Sequence, residues 1–460
     1  MTQTDQPPQP QRRKRGDRRG KGFHAFRTLL LLLVLPVVFA VIALVMMFDR
    51  DITAPSWVTD LVAERASTML GGGSIDFGDI TLRVGPDLHP RVRLYQTQVA
   101  DAAGTPLAQI DTVDATISPR GLLFDRAALV QRVALSGTAI DLTRDAQGQM
   151  RLTFMLPEAG NGALLADGLV GLVRQIDTLR DRPVLAALES LTLDGLDVTY
   201  RDERADRTWT ATGGSFAFGI DAQNTTATAQ LQVAGDSGVS GLGLRLDSPR
   251  GRDAAAIAIT ITDAQARDLA SQSAALRFLG ALDAPLSASL RTGLNAQGEL
   301  GPLNATLTIG AGALQPGPQT APLRFDGVTA ALSYDPQAQR LEFSNVSIAS
   351  EWGSLQARGQ ALARDFDRGL PDALVGQFTL TDIALNPAGL YPAPITLDQA
   401  DIDLRLRLDP FRLDMGQISL SDPSLTLTAS GALNATPDGW NAAVDLQSPA
   451  LSAADVLRLW

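Results

Sequence analysis

The strongest constraint on how this chain folds is a strict alternation of apolar and polar side chains in short segments. The most regular segment is DIDLRLRLD at 401–409, in which every second residue is aliphatic and the others carry a charge. Successive side chains of a β-strand point to opposite faces, so the pattern predicts a strand with one aliphatic and one charged face. We expect one continuous apolar groove to be lined by the aliphatic residues of this and similar strands: Ile257, Ile259, Ile261, Ile402, Leu404, Leu406, Leu408, Leu425 and Leu427.

Turn signals between the alternating segments predict that consecutive strands pair antiparallel. Asp or Asn begins and Gly ends the connections at 101–104, 145–148 and 295–298. Asp and Asn initiate turns through their own side-chain hydrogen bonds, and Gly readily adopts a positive φ. An internal repeat is also present, because VALSGTAIDLTRD at 133–145 and LTLDGLDVTYRD at 191–202 share alternating apolar residues, a central Gly and a final Arg-Asp.

The expected fold class is mainly β: an elongated, curved antiparallel sheet that forms a groove, with a few amphipathic helices. Apolar residues three and four apart predict a helix within 157–183, and a weaker helical pattern covers 264–279. About 22 strands at a spacing of about 4.8 Å would extend on the order of 100 Å. The alternative is a β-sandwich whose aliphatic faces meet each other. Only 5% of the residues are aromatic, and a long antiparallel sheet with one apolar face curls, which favours the groove.

An uncharged run of twenty residues, 29–48, is long enough to span a membrane as a helix. The alternative is a cleaved signal peptide, but the run is longer than a secretory core and is followed by DRD at 49–51 instead of a small-residue cleavage site. By the positive-inside rule, the basic residues before the run place the N-terminus in the cytoplasm and the remainder outside. These topology determinants are Arg12, Arg13, Lys14, Arg15, Arg18, Arg19, Lys21 and Arg27.

These patterns divide the chain into six expected regions. They are a basic cytoplasmic tail at 1–28, a transmembrane helix at 29–48, a stalk helix at 49–73, an N-terminal β unit at 74–156, an amphipathic helical insertion at 157–183 and an extended repetitive β-groove at 184–460. The formal net charge is −11, and because the first 28 residues carry +6, the remainder carries −17. So acidic a body argues against a nucleic-acid partner.

The composition excludes most catalytic and metal-binding chemistry. The chain has no Cys and only two His, His24 and His89, so sites that need a thiol or several imidazoles are excluded. The segment GDSG at 235–238 matches the nucleophile motif of chymotrypsin-like serine proteases. A catalytic triad also needs a histidine base, and we therefore expect a hairpin turn there. We expect no enzymatic activity, no catalytic residues, no metal and no cofactor.

Several segments together resemble the AsmA-like superfamily. They are the basic tail with its single apolar span, APSW at 54–57, GGGSIDFGDITL at 71–82 and VALSGTAIDLTRDAQG at 133–148. From residue 276 onward the chain looks most similar to the YhdP branch, in the segments 278–301, 327–343 and 451–460. Members of that branch are usually much longer, so we expect this chain to be an N-terminal portion of a longer protein.

The resemblance implies a bridge-like lipid carrier, a single-pass inner-membrane protein whose periplasmic β-groove carries phospholipid toward the outer membrane. The partners it implies are phospholipid acyl chains, the inner membrane and outer-membrane or envelope proteins. A lipid that crosses water needs an apolar path for a physical reason. Exposing two sixteen-carbon chains to water costs roughly 25 kcal/mol at about 0.8 kcal/mol per CH₂. The alternative is a non-catalytic envelope scaffold or outer-membrane assembly factor. An open aliphatic surface would favour the carrier, and two sheets closed on each other would favour the scaffold.

Overall fold

A computed structural model describes most of the chain from residue 50 onward. The described residues are 50–56, 59–60, 63–64, 74–100, 106–125, 127–144, 150–152, 186–203, 207–249, 254–272, 274–295, 299, 301–367, 370–386, 389, 391–422, 425–436 and 438–448. Most of them belong to one sheet of 22 strands, and a second sheet has three short strands. The prediction of a mainly β fold with a large antiparallel sheet is confirmed.

The first three strands are short, and from the fourth onward all described strands except the seventh, thirteenth, sixteenth and seventeenth have at least seven residues. In the first half they are β1 Ile52–Thr53, β2 Ser74–Asp76, β3 Ile80–Val84, β4 Pro90–Ala100, β5 Pro106–Ile117, β6 Val130–Arg144, β7 Met150–Leu152, β8 Ser190–Asp202, β9 Arg207–Ile220, β10 Asn224–Ala234, β11 Val239–Pro249 and β12 Ala255–Gln265. In the second half they are β13 Leu282–Asp283, β14 Pro285–Leu294, β15 Leu303–Ile309, β16 Gly312–Leu314, β17 Leu323–Phe325, β18 Gly327–Asp335, β19 Arg340–Ser350, β20 Gly353–Asp367, β21 Leu370–Leu385, β22 Ile395–Leu408, β23 Phe411–Asp422, β24 Leu425–Thr436 and β25 Gly439–Gln447.

The large sheet is a single row of strands that follows the chain almost without rearrangement. It runs β1, β3, β4, β5, β6 and then β8 to β12, β14, β15 and β18 to β25. The short strands β2 and β7 extend the ladder at the ends of β4 and β6. The remaining three, β13, β16 and β17, form the small sheet.

The two copies of the internal repeat lie side by side as β6 and β8 and pair parallel. The register joins equivalent positions around the central Gly of the two copies, as in the pairs Val133 with Leu191 and Leu135 with Leu193, and at the final Arg-Asp it is offset by one residue, because Arg144 pairs with Asp202. A parallel pair needs a long crossover connection, and more than forty residues separate β6 from β8. This pair departs from the otherwise antiparallel sheet, whereas the consecutive strands β6 and β7 pair antiparallel, as predicted.

A line of positions left out of the ladder crosses the sheet from β4 to β9 and explains the Gly in the repeat. At each position one residue is left out of the ladder and the apolar period restarts beyond it, so that both halves of a strand direct apolar side chains to the same face. Gly137 and Gly195 meet on this line, with φ of 62° and 65°. The other members are Gln96, Asp111 and Gly213.

The helices are few in the described part of the chain. Helix α1, Ala266–Gln272, and a 3₁₀ helix, Ala274–Ala281, occupy the weakly helical pattern at 264–279. Within the expected stalk, Ile52–Thr53 is strand β1, and helical residues occur between Ser56 and Glu64. The described helices include none with the length and apolar composition needed to span a bilayer. The expected tail, membrane span and insertion helix, at 1–28, 29–48 and 157–183, lie outside the described residues.

Candidate functional site

The register of the large sheet brings one apolar residue from nearly every strand into a single line. Each member is paired directly with the next, and directly paired residues point to the same face of a sheet. We call this line the apolar row. Its members are Ile80, Leu94, Val113, Leu135, Leu193, Phe216, Ala229, Leu244, Ile259, Leu290, Ala305, Leu332, Phe343, Gly359, Phe378, Ile402, Ile418, Ala429 and Leu446.

The residues predicted to line one surface lie on the same face as this row. Ile259 and Ile402 are members of it. The others occupy parallel lines, where for example Leu406 pairs with Leu374 and Leu413. The remaining predicted positions on this face are Ile257, Ile261, Leu404, Leu408, Leu425 and Leu427. The side chain of Leu425 lies outside the described part. We call this surface the apolar face.

The opposite face of the sheet is polar and carries ion pairs. A guanidinium nitrogen of Arg93 lies 2.7 Å from the Asp114 carboxylate, and the corresponding distance from Arg405 to Asp365 is 2.6 Å. The hydrogen bond that Arg93 donates to the Asp114 carboxylate raises the pKa of the Arg93 guanidinium above its ordinary value. Burying a face that carries such ion pairs would have a large desolvation cost, so this face is the one directed to water.

Burial of the apolar face differs between the two halves of the sheet. In β3 to β14, which we call the N-terminal region, several large side chains of the face are buried: Ile110 and Leu135 are 3% exposed and Leu193 is 5% exposed. These three form a cluster with Leu196. Leu242 and Leu244 on β11 are exceptions, at 38% and 44% exposure. In β15 to β25, the C-terminal region, most of the buried apolar residues are alanines.

The large aliphatic residues of the C-terminal region are partly exposed. Ile402, Leu404, Leu406 and Leu408 are neither buried nor fully open, and Leu446 at the last strand is 64% exposed. The predicted residues thus divide into two groups. Ile257 belongs to a buried cluster with Leu246, Ala255 and Leu294, whereas those of β22 line an accessible apolar surface.

One tertiary contact joins distant parts of the C-terminal region across the apolar face. Trp440, on β25, points to this face, because it alternates with Ala442 and Val444. Its indole Nε1 donates a hydrogen bond of 2.6 Å to the carbonyl oxygen of Ala321, in the loop between β16 and β17. The ring of Phe411 meets Trp440 edge-on at a centroid distance of 5.5 Å. The loop therefore contacts β25, although β18, the strand of the large sheet that follows the loop in the chain, is separated from β25 by β19 to β24.

A surface hollow of the C-terminal region lies on the polar face. It has a volume of about 780 Å³ and is lined by polar groups that include Glu342, Gln360, Gln377 and Asp403. These four side chains follow one another in register across β19 to β22. Acyl chains would gain no favourable apolar contact from these polar groups, so we do not propose the hollow as a lipid-binding site.

The GDSG segment forms the hairpin turn between β10 and β11, as predicted. The hydroxyl of Ser237 donates to a carboxylate oxygen of Asp268 at 2.8 Å, and its backbone N–H donates to the other oxygen at 3.0 Å. The turn is thereby fastened to helix α1. His89 lies in the distant turn between β3 and β4, where its Nδ1 is 2.9 Å from the carbonyl oxygen of Asp87. Ser237 thus has a structural partner where a nucleophile would need an imidazole.

Sequence reasoning missed one surface feature, the turn between β5 and β6. Leu122, Leu123 and Phe124 are all exposed there. The signal was present, since three consecutive large apolar residues follow Pro119-Arg120-Gly121 and break the alternation of the neighbouring strands.

Comparison of the chain with protein-family models, with curated proteins and with solved structures finds no match.

Proposed function

We propose that this protein is anchored in the inner membrane and carries phospholipid along the apolar face of its periplasmic sheet toward the outer membrane. The observation that supports the proposal most directly is the apolar row, which continues through every long strand of the sheet. At about 4.8 Å per strand the row extends on the order of 90 Å. A surface that long exceeds what one stationary lipid requires and suits a path along which lipids move.

The polarity of the two faces supports the same proposal. A phospholipid keeps its headgroup in water while its acyl chains need an apolar environment. In the C-terminal region the aliphatic side chains of β22 remain partly exposed, and the opposite face carries the charges. Acyl chains on the apolar face would cover these aliphatic groups and avoid the cost of exposure at each step.

The contact between Trp440 and Ala321 supports a curved sheet that forms a trough. Seven strand spacings of about 4.8 Å would separate β18 from β25 by about 34 Å in a flat sheet. The six residues from Gly327 to Ala321 reach at most about 22 Å, and an indole side chain does not bridge the remainder. Curvature toward the apolar face brings the two partners together, and it would also enclose acyl chains on that face.

The anchorage and orientation rest on the sequence. The uncharged run 29–48 ends two residues before Arg50, where the described chain begins. The basic residues before the run favour a cytoplasmic N-terminus by the positive-inside rule. Everything from Arg50 onward would then lie on the periplasmic side, which places the start of the sheet next to the membrane that supplies the lipid.

The experiment that tests the proposal compares two adjacent residues of β15. Leu307 belongs to the apolar face and is partly buried, whereas Thr306 lies on the polar face and is exposed. Lipid that copurifies with the full chain is measured by mass spectrometry for Leu307→Asp and Thr306→Asp, together with thermal unfolding. We expect Leu307→Asp to lose bound phospholipid while Thr306→Asp retains it. Equal lipid content in both folded variants would refute the proposal.

The second candidate is an envelope scaffold that binds proteins and carries no lipid. The buried apolar face of the N-terminal region favours it, because Ile110, Leu135 and Leu193 behave as an ordinary core. A scaffold predicts that purified chain contains no stoichiometric lipid and that Leu307→Asp changes stability alone. The same lipid measurement therefore separates the two candidates.

A further inference from the structure

The turn between β5 and β6 presents three consecutive large apolar side chains to solvent. Leu122, Leu123 and Phe124 are 42%, 76% and 79% exposed in the π-helical turn Gly121–Asp125. Scattered exposed leucines are common on protein surfaces, but a contiguous apolar patch marks an interaction site. None of the three belongs to the apolar face, so the patch needs a separate explanation.

Backbone hydrogen bonds and close packing hold the base of this turn in place. The backbone N–H of Ser118 donates to the carbonyl of Leu129 at 2.8 Å, and that of Ala127 donates to the carbonyl of Gly121 at 3.1 Å. Gly121 is buried, and a Cβ on it would lie only 3.0 Å from Cγ of Leu129. The apolar tip is therefore presented on an ordered base, which lowers the entropic cost of inserting it into a partner.

The tip lies at the same ends of the strands as Arg50. Arg50 immediately precedes β1, and Asp51 lies 3.9 Å from Arg83 near the end of β3. The β3–β4 turn, where Leu88 is 57% exposed, and the β5–β6 turn follow along the same edge. Three strand spacings of about 4.8 Å put the tip about 14 Å from Arg50 in the plane of the sheet. In the sequence the uncharged run ends at Phe48, two residues before Arg50, and Arg50 lies at the edge that carries the exposed leucines.

The charge around the tip differs from that of the whole body. Segment 118–132 contains Arg120, Arg126 and Arg132 against a single acidic residue, Asp125, whereas residues 29–460 together carry −17. Arg132 is paired with Glu189 at 3.7 Å, so Arg120 and Arg126, which flank the apolar tip in the sequence, carry the local excess. Arginines flanking exposed Leu and Phe are typical of segments that lie in the interface of an anionic bilayer.

We propose that the turn at 121–125 inserts its apolar tip into the surface of the same membrane that residues 29–48 enter. This second contact fixes the orientation of the first strands against the bilayer, so that the apolar face begins at the lipid surface. The inference rests on the anchorage given under the proposed function. A tethered chain with one contact can rotate about its anchor, and a second contact removes that freedom.

The absence of Cys from the chain allows the position of the tip to be measured directly. Leu123→Cys carries the fluorophore NBD in the full chain, reconstituted in nanodiscs of phosphatidylethanolamine and phosphatidylglycerol. Val239→Cys is the matched control, because Val239 is apolar, 62% exposed and lies at the opposite ends of the strands. Emission is recorded with a nitroxide on the lipid acyl chains and, separately, with aqueous iodide.

We expect lipid nitroxide to quench NBD at position 123 strongly and at position 239 weakly, with the reverse order for iodide. Replacing phosphatidylglycerol with phosphatidylcholine should reduce the quenching at 123. Quenching of both positions by iodide alone would overturn the inference. Protection of position 123 from both quenchers would also overturn it, because it would show that a protein covers the tip.

The outcome is separable from that of the proposed function. Copurified lipid on a chain whose tip is not quenched by lipid retains the carrier and rejects the membrane-inserted turn. Quenching at 123 in a chain that binds no lipid supports the inserted turn and rejects the carrier. Failure of the chain to incorporate into nanodiscs at all rejects the anchorage and both proposals with it.

Discussion

The N-terminal and C-terminal regions of the sheet have the same alternation and the same continuous register, yet they use the apolar face differently. In the first, Ile110, Leu135 and Leu193 are buried and cluster with one another. In the second, the large aliphatic residues of β22 stay partly exposed. The alternation of a strand therefore determines which face is apolar, and not whether that face becomes a core or an accessible surface.

The largest expected effect comes from placing a charge on the apolar face of each region. Leu193→Asp buries a carboxylate without a partner and should destabilise the protein by about 4 kcal/mol or more. Leu406→Asp leaves the carboxylate in contact with water, so the destabilisation should be about 1 kcal/mol. The midpoint of urea unfolding, followed by tryptophan fluorescence, measures both. Equal shifts would show that the two regions do not differ.

The line of left-out positions from β4 to β9 provides the next test, because its Gly residues adopt a positive φ. Gly137 has a φ of 62°, and a Cβ there would clash with the Asp111 carboxylate. Gly137→Ala should therefore destabilise by about 2 kcal/mol or more. In Gly416→Ala, the matched change in β23, the new Cβ lies 3.8 Å from the carbonyl oxygen of Asp403, so the midpoint should change little. Comparable losses would contradict the role given to the line.

The hydrogen bond of Trp440 should have a smaller and local effect in the C-terminal region. Trp440→Phe keeps an aromatic ring but removes the donor to Ala321, which should cost about 1 kcal/mol. Hydrogen exchange of the Thr320 amide, which donates to Gly317 within the same loop, should accelerate. Trp352→Phe is the control, because Trp352 is 52% exposed. Unchanged exchange in Trp440→Phe would show that the loop is held without this contact.

The smallest expected effect is electrostatic and concerns the polar face. The hydrogen bond from Arg412, at 2.7 Å, lowers the pKa of the Asp414 carboxyl. A depressed pKa contributes stability above the ordinary carboxyl range, and the contribution is lost as the pH falls through the depressed value. Both side chains are largely exposed, so the change in stability is slight. NMR titration should show the pKa of Asp414 rising toward its ordinary value in Arg412→Gln, and no rise would contradict the assignment.

The strand pattern could be read from the sequence because it depends on local geometry. The alternation in DIDLRLRLD requires a strand with two unlike faces, and the GDSG segment forms the expected hairpin turn. The parallel pairing of β6 with β8 could not be read in this way. The repeat showed that the two segments are alike, but likeness does not determine which strands become neighbours. The exposed tip at Leu122–Phe124 was overlooked because no periodic pattern applies to a turn.

The sequence by itself determined that the chain is mainly β, which residues share a face, and that the face opposite Ile402 and Leu404 is charged. These properties follow from the period of two in a strand and from turn chemistry, which involve only neighbouring residues. Only the tertiary structure decided that one apolar row passes through nearly all strands in register and that Trp440 meets Ala321. It also decided that Leu135 and Leu193 are buried in the N-terminal region, whereas the aliphatic residues of β22 stay partly exposed. These properties depend on sheet twist, on bulges that realign the period and on contacts between residues far apart in the chain, and no local pattern records such contacts.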